Sequence, residues 1–176
     1  MNILITILLV IAGILALLLL VALFMKREHY VIRDVVINAP RQKVFDYVKL
    51  LKNQDNFNEN AMAGADRKKE FRGTDGTVGY VYAWSGDKNA GEGEKEILNI
   101  EEGKSVEMEI RFVKPMVTSA RIVMKMESLS DNQTKVYWSN AGKLNYPLNL
   151  LIPVLQKSVA KGMDGSLLTL KNILEK

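Results

Sequence analysis

Between residues 67 and 144 the chain is cut by turn signals into six short runs that read as strand candidates. "RKKEFRG" ends at "TDG", "TVGYVYAWSG" at "DKNAG", "EGEKEILNI" at "EEGK", and "SVEMEIRFV" at Lys114-Pro115. "SARIVMKMESL" then ends at "SDNQ", and "TKVYWSNAGKL" at Asn145-Tyr146-Pro147. Such spacing predicts an antiparallel meander. In "VEMEIRF", Met108, Ile110 and Phe112 point one way while Glu107, Glu109 and Arg111 point the other. A sheet of this kind buries one face and wets the other.

The flanks supply what covers the buried face. "HYVIRDVVINAP" predicts one more strand, with a phase change near Asp34 that suggests a bulge or a strand covered on both faces. Pro40 then opens an amphipathic helix of about three turns that carries Val44, Phe45, Val48 and Leu51 on one face. "KNQDNFNENAMAGA" is aperiodic and predicts a loop or short helix. The tail from Leu148 to Leu174 carries Leu151, Leu155, Val159, Met163, Leu167, Leu170 and Leu174 in a helical stripe. Pro153 predicts a kink or break near its start, and Gly162 and Gly165 allow close approach in its middle. The fold class is α+β, and this tail is the one element long enough to cover the sheet.

The N-terminus is a different material. Ile3 to Met25 carries no charge, and Lys26 and Arg27 follow at once. As a helix it reaches roughly 35 Å, enough to cross a bilayer core of about 30 Å. A cleaved signal sequence fits less well, because the apolar run is long and no small-x-small site follows it. The expected organisation is a membrane anchor with its basic flank over residues 1–27 and a folded domain over residues 28–176. All 24 Lys and Arg residues follow the anchor. The positive-inside rule then places the N-terminus outside and the domain in the cytoplasm. The net charge of +4 is modest and dispersed. It suits a domain beside an anionic membrane surface and argues against nucleic acid as a partner.

Catalytic and metal signatures are scarce. The chain has one histidine, His29, and no cysteine, so no conventional zinc site is expected and no Cys-His pair can form. His29 reads as an interfacial residue at the start of the domain. Glu92, Glu94 and Glu96 share a strand face. The simplest reading is a solvated face balanced by Lys95 and a neighbouring lysine-rich strand; a cation site or acid–base pair is the sharper alternative. "GTDGTVG" joins two strands and is read as a hairpin, not a phosphate loop. No catalytic residue, cofactor or metal is assigned.

With these elements in order, the sequence resembles the START-like or SRPBCC superfamily, in its polyketide cyclase/dehydrase and lipid-transport branch, as a membrane-anchored bacterial member. The resemblance rests on "VVINAPRQKVFDYV" (35–48), "FRGTDGTVGYVYAW" (71–84), "GEGEKEI" (91–97) and "SLLTLKNILEK" (166–176). It covers roughly residues 29 to 176. It implies a helix-grip fold: a seven-stranded curved antiparallel sheet wrapped around the long C-terminal helix, here preceded by one transmembrane helix. It also implies a hydrophobic cavity between the two.

Residues expected to line that cavity come from alternating sheet positions and from the helix stripe. From the sheet they are Tyr82, Trp84, Met108, Ile110, Phe112, Ile122, Met124, Trp138 and Asn140; from the helix they are Val159, Met163 and Leu167. Which face of "GYVYAWSG" meets the helix stays open, since Val81 and Ala83 are equally natural core residues and a one-residue register shift exchanges the two sets. Asp164, Ser166 and Ser139 are further polar candidates. The leading functional expectation is a membrane-tethered carrier or sensor of a lipid-like or other apolar small molecule, with the bilayer itself held through Ile3 to Met25. The alternative is a non-enzymatic interaction domain with a filled core that docks on another membrane protein. A cyclase-type enzyme is the third and weakest option, because no acid–base constellation falls on inward positions.

Overall fold

The computed structural model describes residues 2–59, 67–86 and 91–176. Helix α1 (Ile3–Phe24) leads into strand β1 (Glu28–Ile37), helix α2 (Arg41–Val48), a 3-10 turn (Leu51–Asn53) and the short helix α3 (Gln54–Phe57). Six strands follow: β2 (Lys68–Arg72), β3 (Val81–Ser85), β4 (Glu92–Glu101), β5 (Ser105–Lys114), β6 (Thr118–Ser130) and β7 (Gln133–Lys143). A second 3-10 turn (Leu148–Leu151) opens the long helix α4 (Ile152–Leu174). The second half of the predicted loop "KNQDNFNENAMAGA" and the "DKNA" turn lie outside the described residues.

The strands form one antiparallel sheet in the order β1-β7-β6-β5-β4-β3-β2. The meander β2 to β7 is therefore continuous, and β1 joins it by pairing with β7. Register shifts at Glu92/Gly93 and Ile97/Asn99 bend the β4–β5 pair, as bulges do. This is the α+β helix-grip architecture, with α4 held against one face of the sheet. The phase change near Asp34 produces no bulge: β1 runs in unbroken register from Glu28↔Lys143 to Ile37↔Thr134.

The helix after Pro40 is shorter than its apolar spacing predicts. It stops at Val48 because the chain restarts in a new turn, where the Asp75 carboxylate accepts the backbone N–H of Leu51 at 2.8 Å and of Lys52 at 3.1 Å. Those are the unpaired donors that any helix start leaves open. Val44, Phe45 and Val48 still enter the core, as does Leu51. Pro153 does not kink α4, since it sits in the first turn where a missing N–H costs nothing. Gly165 permits a close approach: a β-carbon there would collide with the Glu59 carboxylate.

The core is packed at one end of the domain. Phe45, Phe57, Ile97, Met108, Met124, Met126, Leu167 and Leu170 are all buried there. Helix α1 lies outside it. Its large side chains are exposed and only Ala22 is buried. By length and composition α1 meets the requirements of a membrane span or of a signal sequence. Its C-terminal end is fastened to the domain: the amide of buried Asn149 donates to the carbonyls of Ala22 (2.7 Å) and Met25 (3.1 Å), and the Leu144 N–H donates to the Arg27 carbonyl at 2.8 Å.

Phe45→Ala in the detergent-solubilised full chain is expected to cost about 3–5 kcal/mol of domain stability. The loss should appear as a lower urea midpoint, and a change under 1 kcal/mol would show that α2 does not anchor this core.

Candidate functional site

The opposite end of the domain is not filled. Between the sheet and the first half of α4 lies a cavity of about 550 Å³, within the range of small-molecule sites. Strand pairing explains its lining. Tyr82, Lys95, Ile110, Ala120, Gly142 and His29 stand directly opposite one another across β3, β4, β5, β6, β7 and β1, so they form one row on one face. Trp84, Gly93, Phe112 and Thr118 form the next row. The glycines leave space for rings. A β-carbon at Gly93 would sit 2.7 Å from the Trp84 indole, and one at Gly142 would sit 2.5 Å from His29 Cε1.

Nine of the residues expected from the sequence line this cavity: Tyr82, Trp84, Ile110, Phe112, Ile122, Trp138, Asn140, Val159 and Met163. Met108, Met124 and Leu167 do not. They lie in the packed core, where α2 and the end of α4 meet the sheet. The strand quoted as "GYVYAWSG" turns Tyr82 and Trp84 toward the cavity. Their rings join an edge-to-face series, with Phe71–Tyr82 centroids 5.3 Å apart and Trp84–Phe112 centroids 5.9 Å apart.

Lys95 corrects the expectation that it balances the glutamates. Strand alternation sends Glu94 and Glu96 to the outer face and Lys95 inward, where it is 8% exposed and lines the cavity. The outer carboxylates are balanced by Arg111 instead, which lies 2.9 Å from Glu94, 2.5 Å from Glu96 and 2.6 Å from Glu109. Glu92 pairs with Lys114 at 2.7 Å. Among the described residues, no group of three or more His, Asp or Glu is placed to hold a metal.

The polar end of the cavity is built by α3 and the first strands. Lys95 donates to the side-chain oxygen of Gln54. Gln54 in turn points its amide nitrogen at the Met108 sulfur, 3.4 Å away. Asp55 accepts the Tyr82 hydroxyl at 2.6 Å and the Lys69 ammonium at 2.7 Å. Burial, together with the bond to Asp55, keeps Tyr82 a neutral phenol well above its ordinary range. Burial pulls the Lys95 ammonium down to about 8, and Asp55 offsets that only in part. Sequence reasoning overlooked Lys95, Gln54, Asp55 and Arg67; for Lys95, strand alternation was an available signal.

The other end is polar too. His29 is buried, contrary to its reading as an interfacial residue, because β1 pairs with β7 from its first residue. Its Nε2 lies 2.9 Å from Asn140 Oδ1, while its Nδ1 and the Trp138 indole N–H are buried without partners. Ser166 also lines the cavity, accepting the Glu59 N–H at 3.0 Å and donating to the Gly162 carbonyl at 2.6 Å. Asp164 instead pairs with Arg33 on the surface at 3.0 Å. Ser139 falls in register on the outer face of β7, alternating with Trp138 and Asn140.

The cavity opens where α4 begins. Leu144, Leu151, Leu155, Pro115 and Met116 line that end. Around it, Val117, Tyr146, Leu148, Leu151 and Val154 are exposed apolar residues. Asn149, which holds the end of α1, sits within the same turn.

Lys95 makes stability depend on pH. Its folded value near 8 lies below its ordinary 10.5, so between these the unfolded chain binds the extra proton and stability rises with pH. Lys95→Met should be more stable than the parent at pH 7, by up to about 3 kcal/mol. That advantage should shrink as pH climbs from 8 toward 10.5. Urea midpoints of both chains at three pH values test this, and a constant difference would show that Lys95 is not buried as a charge.

No protein-family profile matches the sequence, and no curated protein matches it. Solved structures do. Norcoclaurine synthase from Thalictrum flavum, solved with dopamine and hydroxybenzaldehyde, superposes with a TM-score of 0.63 at 10% identity, covering 88% of this chain and 90% of its own. The ZhuI aromatase/cyclase from Streptomyces sp. R1128 gives 0.63 at 11% identity, covering 84% and 94%. Protein CV1439 from Chromobacterium violaceum gives 0.61 at 14% identity, covering 84% and 97%. At these identities the likeness is one of fold, the helix grip of a seven-stranded antiparallel sheet and a long C-terminal helix.

Proposed function

We propose that this chain is a membrane-tethered binding protein that holds a lipid-like or other apolar small molecule, as a carrier or a sensor. The observation that carries this reading is the unfilled cavity, whose apolar mouth lies beside the end of α1. With α1 in a bilayer, that mouth would meet the membrane surface, where apolar ligands are concentrated. The exposed Leu148, Leu151 and Val154 would then contact lipid rather than water. Lys26 and Arg27 at the end of the anchor favour the cytoplasmic side for the domain. The same fold in norcoclaurine synthase accommodates dopamine and hydroxybenzaldehyde. A filled-core interaction domain is disfavoured by the open volume. Among the described residues, the carboxylate of the site, Asp55, is taken up by Tyr82 and Lys69, so binding rather than catalysis is the reading.

The full chain purified from membranes should release a co-purifying hydrophobic molecule on solvent extraction, detectable by mass spectrometry. An empty chain whose melting temperature is unmoved by any added lipid would sink the proposal. For orientation, a fluorescent protein that folds only in the cytoplasm should glow when fused after Lys176. Activity of a periplasm-only phosphatase at the same position would reverse the topology.

A further inference from the structure

The charges lining the cavity do not balance. Lys95 has, among the described residues, only a neutral hydrogen-bond partner, the Gln54 amide oxygen. Arg67 lines the same cavity with its guanidinium over the Trp84 ring, 6.0 Å from the centroid, and its Nε is buried without a partner. Lys114, nearer the mouth, is already paired with Glu92 on the outer side. Among the described residues, the one carboxylate in the lining is Asp55, and both of its oxygens are occupied, by Tyr82 and by Lys69. Among the described residues two cations therefore face the cavity, and the engaged Asp55 carboxylate offsets the burial of Lys95 only in part. An uncompensated buried charge is costly, and a guanidinium with a free N–H that lines the same cavity as an ammonium suits an oxyanion.

We infer that the guest is an anionic amphiphile, with a carboxylate or phosphate monoester head seated between Lys95 and Arg67. Its apolar chain lies along Ile110, Phe112, Leu155 and Val159 toward the mouth. This deepens the binding function proposed above and rests on it. Gln54 and the Tyr82–Asp55–Lys69 group form the wall behind the head. Trp84 and Trp138, the two tryptophans of the chain, both line the cavity and report on its occupant.

The test uses the full chain in phosphatidylcholine bicelles, with tryptophan quenching by brominated probes of one chain length. The probes are 9,10-dibromostearate, the corresponding alkyl phosphate, and the neutral alcohol. At least one oxyanion should bind tenfold or more tightly than the alcohol, and the stronger of the two identifies the head group. Lys95→Met should bring that ratio to within about threefold, and so should Arg67→Gln, which keeps the inference testable should the first variant misfold. Equal binding of all three probes by the parent chain would overturn the head-group assignment while leaving the cavity function standing. A preference that survives in both folded variants would overturn it too. Absence of quenching by every probe would remove the binding function itself.

Discussion

One helix has to cover one face of a seven-stranded sheet, and it covers only part of it. The second half of α4 packs fully: Met163, Leu167, Leu170 and Leu174 are buried against a core that α2 also helps to close. Its first half has no such partner on the other side. There Leu155 and Val159 line the cavity together with Ile110, Ile122 and Phe112. Close packing at one end and open volume at the other follow from where α2 sits. It packs on β6 and β7, with Ala39 just before it bonded to Thr134 at the start of β7, while the cavity is lined by Thr118 and Ala120 of β6 and by Trp138 and Asn140 of β7.

The same strands separate two electrostatic tasks. On the outer face, Arg111 gathers Glu94, Glu96 and Glu109 into a network in contact with water, where each pair contributes little singly. On the inner face, one residue away along β4, Lys95 has lost its water and found no counter-ion among the described residues. The bonds to Glu96, Glu109 and Glu94 hold Arg111 more firmly protonated than usual, while burial draws Lys95 toward neutrality. An inward charge costs stability, and the anionic guest proposed above would offset that cost.

Much of the architecture was legible because period-two patterning and turn residues are local signals. "VEMEIRF" and "RIVMKM" state their buried faces outright, and the tail states its stripe. The strand "VYAWS" was not decidable, since small apolar residues and aromatic rings alternate there and either set can pack. Its register with β4 decides it, by placing Tyr82 opposite Lys95. Lys95 was hidden by its company: a lysine among alternating glutamates reads as surface charge unless the alternation is followed through. Gln54, Asp55 and Arg67 come from segments without periodicity: α3 brings the first two against β3 and β4, and Arg67 arrives as the residue before β2, the partner of β3. His29 misled for the same reason, as its burial depends on a partner strand 111 residues away.

Asn149 ties these observations together. A helix end leaves carbonyls without donors, and this buried amide supplies them at Ala22 and Met25 from the turn that opens α4. The link fixes how the apolar helix leaves the domain, and it does so at the rim of the cavity. In the proposed membrane tether, a free joint at the end of α1 would let the domain tumble at the membrane surface. A capped one holds the rim, with Leu148 and Leu151 exposed, at a set distance from the point where α1 ends. The position of the opening is thus coupled to the direction of α1, and a ligand leaving lipid for the cavity would cross only that short apolar rim.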